Sequence, residues 1–195
     1  MVSFFGGYDP AKRADQAAFV LLRYEDGVLE QAGQKTWDQI DYKEQAEDLL
    51  KIQQKYRMTK VCFDRTGVGD AVSELFSREI PMEEVITSLP KKIEMINFLH
   101  GLFQNKKLII KDKVLYDQMM EQEQHITDAG NIQYRHPVSK HNDVFWALCY
   151  ACFAAKGMIL GRPTYAMQGR SRENLSSLES KLNDEFGGGW NIASY

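Results

Sequence analysis

The chain begins with three apolar, β-prone segments joined by short loops, and this succession constrains its fold more than any other feature. The segments cover residues 2–8, 17–24 and 28–36. The loop Glu25-Asp26-Gly27 between the last two is typical of a hairpin turn. Sequential strands with such short connections predict an antiparallel meander at the start of a β-sheet.

The rest of the core alternates between strand and helix patterns, as parallel α/β structure does. Residues 41–56 predict an amphipathic helix that begins at Asp41, because apolar side chains recur at helical spacing and Glu44 follows three residues later. Residues 59–63 predict a buried strand, followed by the loop RTGVG and a second helix whose apolar face lies within residues 71–76. Further predicted elements are a strand at 84–87, a helix at 91–103, an extended segment at 108–110, a helix at 112–122 and a hairpin at 125–136.

The last core segment, NDVFWALCYACFAAKG, is apolar almost all round. It predicts a helix that is buried on most sides and ends at Gly157. Together these patterns predict an α/β fold, with a central mixed β-sheet of an antiparallel meander plus parallel strands, flanked by helices.

Beyond residue 160 the composition becomes polar and rich in Gly and Ser. We therefore expect one domain over residues 1–160, followed by a partly flexible tail over 161–195 with one loose helix near 174–184. A length of 195 residues and a hydrophobic content of 44% suit one well-packed core.

Charge and cysteine content narrow the class of protein. A net charge of −3 argues against a domain that coats nucleic acid by charge alone, although the basic residues are bunched, for example over 135–141.

Cys62, Cys149 and Cys152 lie in apolar runs without paired spacing, as reduced core cysteines of a cytosolic protein would. The N-terminus shows no charged-then-apolar leader, and no apolar run approaches the ~20 residues of a membrane span. We expect a protein that is not secreted and has no membrane partner.

Two aspartates directly follow predicted strands, and their positions suggest a shared site. Asp9 ends the first strand and Asp64 ends the fourth. Residues just past the carboxyl ends of neighbouring parallel strands converge on one crevice. Two carboxylates ~4 Å apart repel by about 4 kcal/mol at an effective dielectric near 20, so a cation between them is expected. Oxygen ligands favour Mg²⁺ or Mn²⁺ over zinc. The alternative for each is an Asx-type turn.

Asp143 is the third candidate carboxylate, because it opens the buried helix directly after SKHN. The competing interpretation is a helix N-cap, a position that Asn142 or Asp143 suits equally well.

Three segments in this order resemble a known family: GYDPAKRADQAAFVLL, VCFDRTGVGDAVSELF and SKHNDVFWALCYACFA. Together they resemble the nuclease domain of the large terminase subunit of tailed double-stranded DNA bacteriophages, over roughly residues 4–157. The resemblance implies a ribonuclease H-like fold and an endonuclease that cuts concatemeric phage DNA during packaging. It also implies a cluster of catalytic carboxylates that binds divalent metal, matching Asp9, Asp64 and Asp143. By the same resemblance Asp15 and Asp70 occupy supporting acidic positions.

The resemblance also implies partners. The full family protein carries an ATPase motor with a phosphate-binding loop, and no G-x-x-x-x-G-K-[ST] motif occurs here. We therefore expect the chain to be the nuclease half of a larger protein that acts in the host cell cytoplasm with the motor domain, the portal and the small terminase subunit.

A mechanism is expected from these residues. Asp9 would bridge two metal ions, with Asp64 and Asp143 each completing one side. His141 would assist at the leaving group or contact phosphate, against the alternative of an exposed loop histidine. Candidate contacts to double-stranded DNA, against the alternative of solvated charges, are Lys12, Arg13, Arg135 and Lys140.

Other functions remain open from the sequence. A Holliday-junction resolvase or transposase core would use the same carboxylates on different DNA. TGVG between a strand and a helix would suit a nucleotide-binding module, although the third glycine and the phosphate-loop lysine are missing. A non-catalytic packaging subunit would keep the fold without the chemistry.

Overall fold

A mixed β-sheet forms the centre of the computed structural model, which describes residues 1–11, 16–66, 75, 79–126, 132–135, 142–161 and 190–191. The strands are β1 (Ser3–Asp9), β2 (Gln16–Glu25), β3 (Val28–Asp38), β4 (Lys60–Asp64), β5 (Met82–Val85), β6 (Leu108–Ile109), β7 (Glu123–Ile126), β8 (Ile132–Arg135) and β9 (Trp190–Asn191). The first three form the predicted antiparallel meander. The main sheet has the order β5-β4-β1-β2-β3-β6, and β9 adds to β3.

The parallel part of the sheet is built on both sides of the meander. β4 pairs with β1 in parallel, β5 pairs with β4 in parallel, and β6 pairs in parallel with β3. β7 and β8 form a separate antiparallel hairpin. Both arms of the predicted hairpin are thus confirmed, while its turn over residues 127–131 lies outside the described residues.

Helices cover both faces of the sheet. They are α1 (Tyr42–Tyr56), α2 (Leu89–Gln104), α3 (Lys113–Met120) and α4 (Asp143–Ile159). The side chain of Asp41 caps α1 as predicted, because it accepts the backbone N–H groups of Lys43 and Glu44. Within the described ranges, none of the helices has the length and apolar character that crossing a membrane would need. The mixed sheet with helices on both faces confirms the predicted α/β class.

The two faces of the sheet carry separate cores, and strand alternation assigns each side chain to one of them. One core joins α1 to residues such as Tyr8, Val61 and Phe63. The other joins α2, α3 and α4 to residues such as Phe5 and Cys62. The three cysteines are buried and unoxidised, as predicted for core residues.

Two predicted boundaries were wrong, and two predicted helices lie mostly or wholly outside the described residues. Gly157 does not end α4, which continues through Ile159 because buried contacts hold its last turns; Gly161, with φ +69°, follows the end. The strand predicted at 84–87 is found at Met82–Val85, where it pairs with β4. Of the predicted second helix only Leu75 is described, and the predicted tail helix near 174–184 lies outside the described residues. The pairing of β9 with β3 was not predicted.

The backbones of α4 and β1 are in direct contact at Gly7. A Cβ atom on Gly7 would lie 2.0 Å from the carbonyl oxygen of Ala147 and 2.2 Å from the amide nitrogen of Ala151. Ala147 and Ala151 are both fully buried. Only a residue without a side chain at position 7 lets the helix lie this close to the strand.

Gly7→Ala is therefore expected to lower the free energy of unfolding by about 3 kcal/mol or more, because backbone rather than a flexible side chain must move. The matched control is Gly101→Ala inside α2, where an added Cβ meets nothing within 4 Å. The control should raise stability by about 0.5–1 kcal/mol. Urea unfolding of the two variants measures both effects, and equal stabilities would contradict the packing described here.

Candidate active site

Asp9 and Asp64 end two neighbouring parallel strands. The position of each aspartate at the end of a strand agrees with the sequence-based prediction. The register of β1 and β4 places Tyr8 opposite Phe63, and the next step places Asp9 beside Asp64. Neighbouring strands lie about 4.8 Å apart. Asp9 lies on the same face as Gly7, and Asp64 on the same face as Cys62, so strand alternation turns both carboxylates toward α4.

The carboxylate of Asp64 is held by two donors. The backbone N–H of Thr66 donates to Oδ1 over 2.8 Å, and the hydroxyl of Thr87 donates to the same oxygen over 2.7 Å. The backbone N–H of Thr87 in turn donates to the Thr66 hydroxyl over 3.0 Å. These bonds join the segments that follow β4 and β5 around one carboxylate oxygen.

The hydrogen-bonded chain continues to α4 through Tyr150. Its hydroxyl lies 2.8 Å from that of Thr87, and its side chain is almost fully buried. Burial raises the pKa of the Tyr150 hydroxyl well above its ordinary value, and the negative charges of Asp9 and Asp64 raise it further. The hydroxyl therefore keeps its proton at neutral pH, and both carboxylate charges act on one tyrosine.

Asp143 opens α4 but does not cap it. Asn142 occupies the N-cap position, and no side-chain cap bond is found there within the described chain. Instead the side-chain oxygen of Gln118, from α3, accepts the backbone N–H of Phe145 over 3.0 Å. Asp143 is thus the first residue of α4 and not its N-cap, while Asn142 holds the N-cap position that the alternative also allowed.

The direction of α4 points Asp143 toward the carboxyl ends of the strands. Asp143 precedes Tyr150 by seven residues, which is two turns, so the two lie on one face of the helix. Long helical side chains lean toward the helix N-terminus, and Tyr150 reaches Thr87 just past the end of β5. In the described part of the chain, no three His, Cys, Asp or Glu side chains are grouped for metal binding. The three-carboxylate site thus stays a prediction.

The chain segment that leaves Asp9 is held from the opposite face of the sheet. The fully buried Gln45 accepts the hydroxyl of Tyr8 and donates to the carbonyl oxygens of Ala11 and Ile40, over 3.0 and 2.7 Å. Because Ala11 lies two residues beyond Asp9, these bonds set the path of the backbone as it leaves the site.

Most of the other predicted site residues lie outside the described residues: Lys12, Arg13, Asp15, Asp70, Lys140 and His141. Arg135 is placed by its backbone only, in β8 opposite Glu123. Sequence reasoning missed five residues that support the site: Gln45, Thr66, Thr87, Gln118 and Tyr150. Only Tyr150 carried a usable signal, its spacing of two helical turns from Asp143 on an otherwise apolar helix.

Comparison with known proteins agrees with this architecture. Residues 6–155 match the model of the terminase RNaseH-like domain family. The chain belongs to this family. The family resemblance predicted from the three motifs is thereby confirmed, and so is the ribonuclease H-like class of the fold.

Two curated relatives of this terminase RNaseH-like chain are longer proteins. The probable terminase ATPase subunit of Haemophilus phage HP1 (strain HP1c1) is 28% identical over 159 residues, which cover 75% of this chain and 26% of the relative. The terminase ATPase subunit of Escherichia phage P2 is 31% identical over 88 residues, covering 44% of this chain and 15% of the relative. The chain thus spans about a quarter or less of the length of the curated relatives it matches.

Solved structures share the fold of this terminase RNaseH-like chain. The large terminase nuclease from thermophilic phage G20c with bound magnesium has a TM-score of 0.70 and 23% identity, covering 78% of this chain and 81% of that one. The nuclease domain of the Thermus phage P74-26 large terminase has a TM-score of 0.66 and 19% identity, covering 77% and 78%. The G20c nuclease has also been solved with bound cobalt and with bound zinc.

The bond from Phe145 to Gln118 is expected to fix the start of α4. Gln118→Leu keeps a similar volume but leaves the Phe145 N–H unsatisfied, and should lower the free energy of unfolding by about 1–3 kcal/mol. Gln118→Glu is the matched control, because it keeps an oxygen acceptor at the positive end of the helix. Hydrogen exchange at the Phe145 amide should accelerate in the Leu variant only; equal acceleration in both would contradict the capping role.

Proposed function

We propose that the chain is the metal-dependent endonuclease of a phage large terminase, which cuts concatemeric double-stranded DNA during genome packaging. Membership of the terminase RNaseH-like domain family over residues 6–155 carries this proposal. The adjacent placement of Asp9 and Asp64 at the ends of β1 and β4 supports it, because such a pair is stabilised by a divalent cation.

The residues present fit a hard divalent ion. Asp9, Asp64 and Asp143 offer only carboxylate oxygens, the ligands that Mg²⁺ and Mn²⁺ prefer. Both described donors to Asp64 converge on Oδ1, so Oδ2 would be the oxygen that contacts a metal. Binding of magnesium, cobalt and zinc by the G20c nuclease supports a divalent site in this fold. We propose that Asp9, Asp64 and Asp143 would together hold two divalent ions.

In the proposed mechanism the metal ions would supply the charge that promotes hydrolysis, and the protein side chains would position them. A pair of divalent ions, when bound, activates a water for in-line attack on phosphorus and stabilises the departing 3′ oxygen. The three aspartates would hold the ions and need not transfer protons themselves. Thr66 and Thr87 orient Asp64, and the segment held by Gln45 orients Asp9. Catalysis then depends on positioning and charge rather than on a protein nucleophile.

We propose that the basic residues next to the three motifs contact the phosphate backbone of DNA. Lys12 and Arg13 would hold the scissile strand beside Asp9, while Arg135 and Lys140 would guide the duplex toward the cleft. His141 would contact phosphate or the leaving group, and Asp15 and Asp70 would support the metal site. The net charge of −3 implies weak binding of DNA by this domain alone.

In this proposal, other domains of a larger protein provide most of the binding to DNA. The phage HP1 and P2 relatives are named as ATPase subunits, and the chain spans 26% and 15% of their lengths. We propose that an ATPase motor, the portal and the small terminase subunit act with this domain in the host cell cytoplasm. The family match favours this function over a resolvase, a transposase core or a nucleotide-binding module. The presence of Asp9, Asp64 and Asp143 favours it over a non-catalytic subunit.

Asp9→Asn, Asp64→Asn and Asp143→Asn are each expected to lower plasmid cleavage in Mn²⁺ at least about 100-fold, because each removes a ligand charge from the metal site. The matched control is Asp38→Asn, an exposed aspartate at the end of β3, which should cut like the wild type. EDTA should abolish cutting in all active samples. Retained cleavage by Asp9→Asn would refute its role.

We propose that residues 1–160 form the nuclease domain and that the tail over 161–195 is dispensable for cutting. Deleting residues 162–195 should preserve plasmid cleavage while lowering the free energy of unfolding by about 1–2 kcal/mol, because the pairing of β9 with β3 is lost. Deleting only residues 192–195 keeps that pairing and serves as the control. Loss of cleavage in the longer deletion alone would place the tail in the site.

A further inference from the structure

We propose that Thr87 and Tyr150 are positioning residues that aim the Asp64 carboxylate at the metal and tie it to the helix that carries Asp143. The inference rests on the proposed nuclease function and extends it to two residues outside the carboxylate set. It stands on a continuous chain of hydrogen bonds from α4 to β4.

The direction of each bond in this chain follows from the groups themselves. An ionised carboxylate only accepts, so the single hydroxyl proton of Thr87 goes to Oδ1 of Asp64. The Thr87 oxygen can then only accept from Tyr150, whose hydroxyl must be the donor. The chain therefore runs one way, from Tyr150 through Thr87 to Asp64.

This one-way chain restricts how the carboxylate can rotate. Oδ1 receives two hydrogen bonds, from the Thr66 backbone and the Thr87 hydroxyl, over 2.8 and 2.7 Å. Rotation of the carboxylate about χ2 away from this orientation would break both bonds. The arrangement therefore keeps Oδ2 directed to the metal, as outer hydrogen bonds do for metal-binding carboxylates in general.

The same chain links two separate parts of the site. Tyr150 lies two turns beyond Asp143 on α4, and the backbone of α4 rests directly on β1 at Gly7. Thr87 follows β5 and is joined to the segment after β4 through Thr66. A shift of α4 along the sheet would therefore move Asp143 and loosen Asp64 together.

A purely structural role is the alternative, because a buried tyrosine hydroxyl needs a partner in any protein. The two roles differ in what they predict for metal binding by the folded protein. Loss of a structural bond lowers the melting temperature but leaves the affinity for Mn²⁺ unchanged well below that temperature. Loss of a positioning bond weakens Mn²⁺ binding in the folded state.

The experiment compares variants of the 195-residue chain by isothermal titration with Mn²⁺ and by plasmid cleavage across Mn²⁺ concentrations. Thr87→Val removes both hydroxyl bonds and should raise the Kd for Mn²⁺ about 10- to 100-fold. Tyr150→Phe removes one outer bond and should raise it about 3- to 10-fold. Thr87→Ser keeps the hydroxyl and should stay within about twofold of the wild type. Tyr116→Phe, at an exposed tyrosine of α3, is the matched control.

In cleavage, the weakened variants should need more Mn²⁺ for half-maximal cutting, in the order Thr87→Val, Tyr150→Phe, wild type. The proposal is overturned if Thr87→Val and Tyr150→Phe bind Mn²⁺ as tightly as Tyr116→Phe while the wild type binds and cuts and Asp64→Asn does not. That result would leave the nuclease function standing. A wild type that neither binds Mn²⁺ nor cuts DNA would instead overturn the nuclease function and this proposal together.

Discussion

Close contact between the backbones of α4 and β1 is the constraint on which the rest of the structure depends. Gly7 has no side chain, so Ala147 and Ala151 approach the strand more closely than any other residue would allow. This contact sets the height of α4 above the sheet. It thereby sets where Asp143 lies relative to Asp9, two residues beyond Gly7, and whether Tyr150 reaches Thr87.

Side-chain hydrogen bonds from other elements then fix the start of α4 and the positions of Asp9 and Asp64. Gln118 fixes the first turn of α4, Gln45 fixes the backbone beyond Asp9, and Thr87 fixes Asp64. Each of these side chains is buried, and each satisfies polar groups that would otherwise be costly to bury. The site is thus assembled from one strand pair and supported by helices and loops on both faces of the sheet.

Much of this architecture could be predicted from local pattern. The meander, a parallel strand at β4 and the buried last helix follow from periodicity and loop length, and Asp9 and Asp64 follow from strand ends. The pairing of β4 with β1 came from the structure. Thr87 and Gln118 could not be found in this way, because their partners lie 23 to 63 residues away along the chain, and Tyr150 carried only its helical spacing from Asp143. The end of α4 was misplaced because tertiary packing overrides the tendency of Gly157 to stop a helix.

The outer edge of β3 is partly covered by two short strands, which limits its pairing with other chains. An eleven-residue strand leaves a long row of backbone donors and acceptors on the side away from β2. β6 covers this row at Leu29 and Glu30, and β9 covers it at Gln34 and Lys35. Two short strands from distant parts of the chain thereby deny the row to a second molecule, which would otherwise use it as a template for intermolecular β-aggregation.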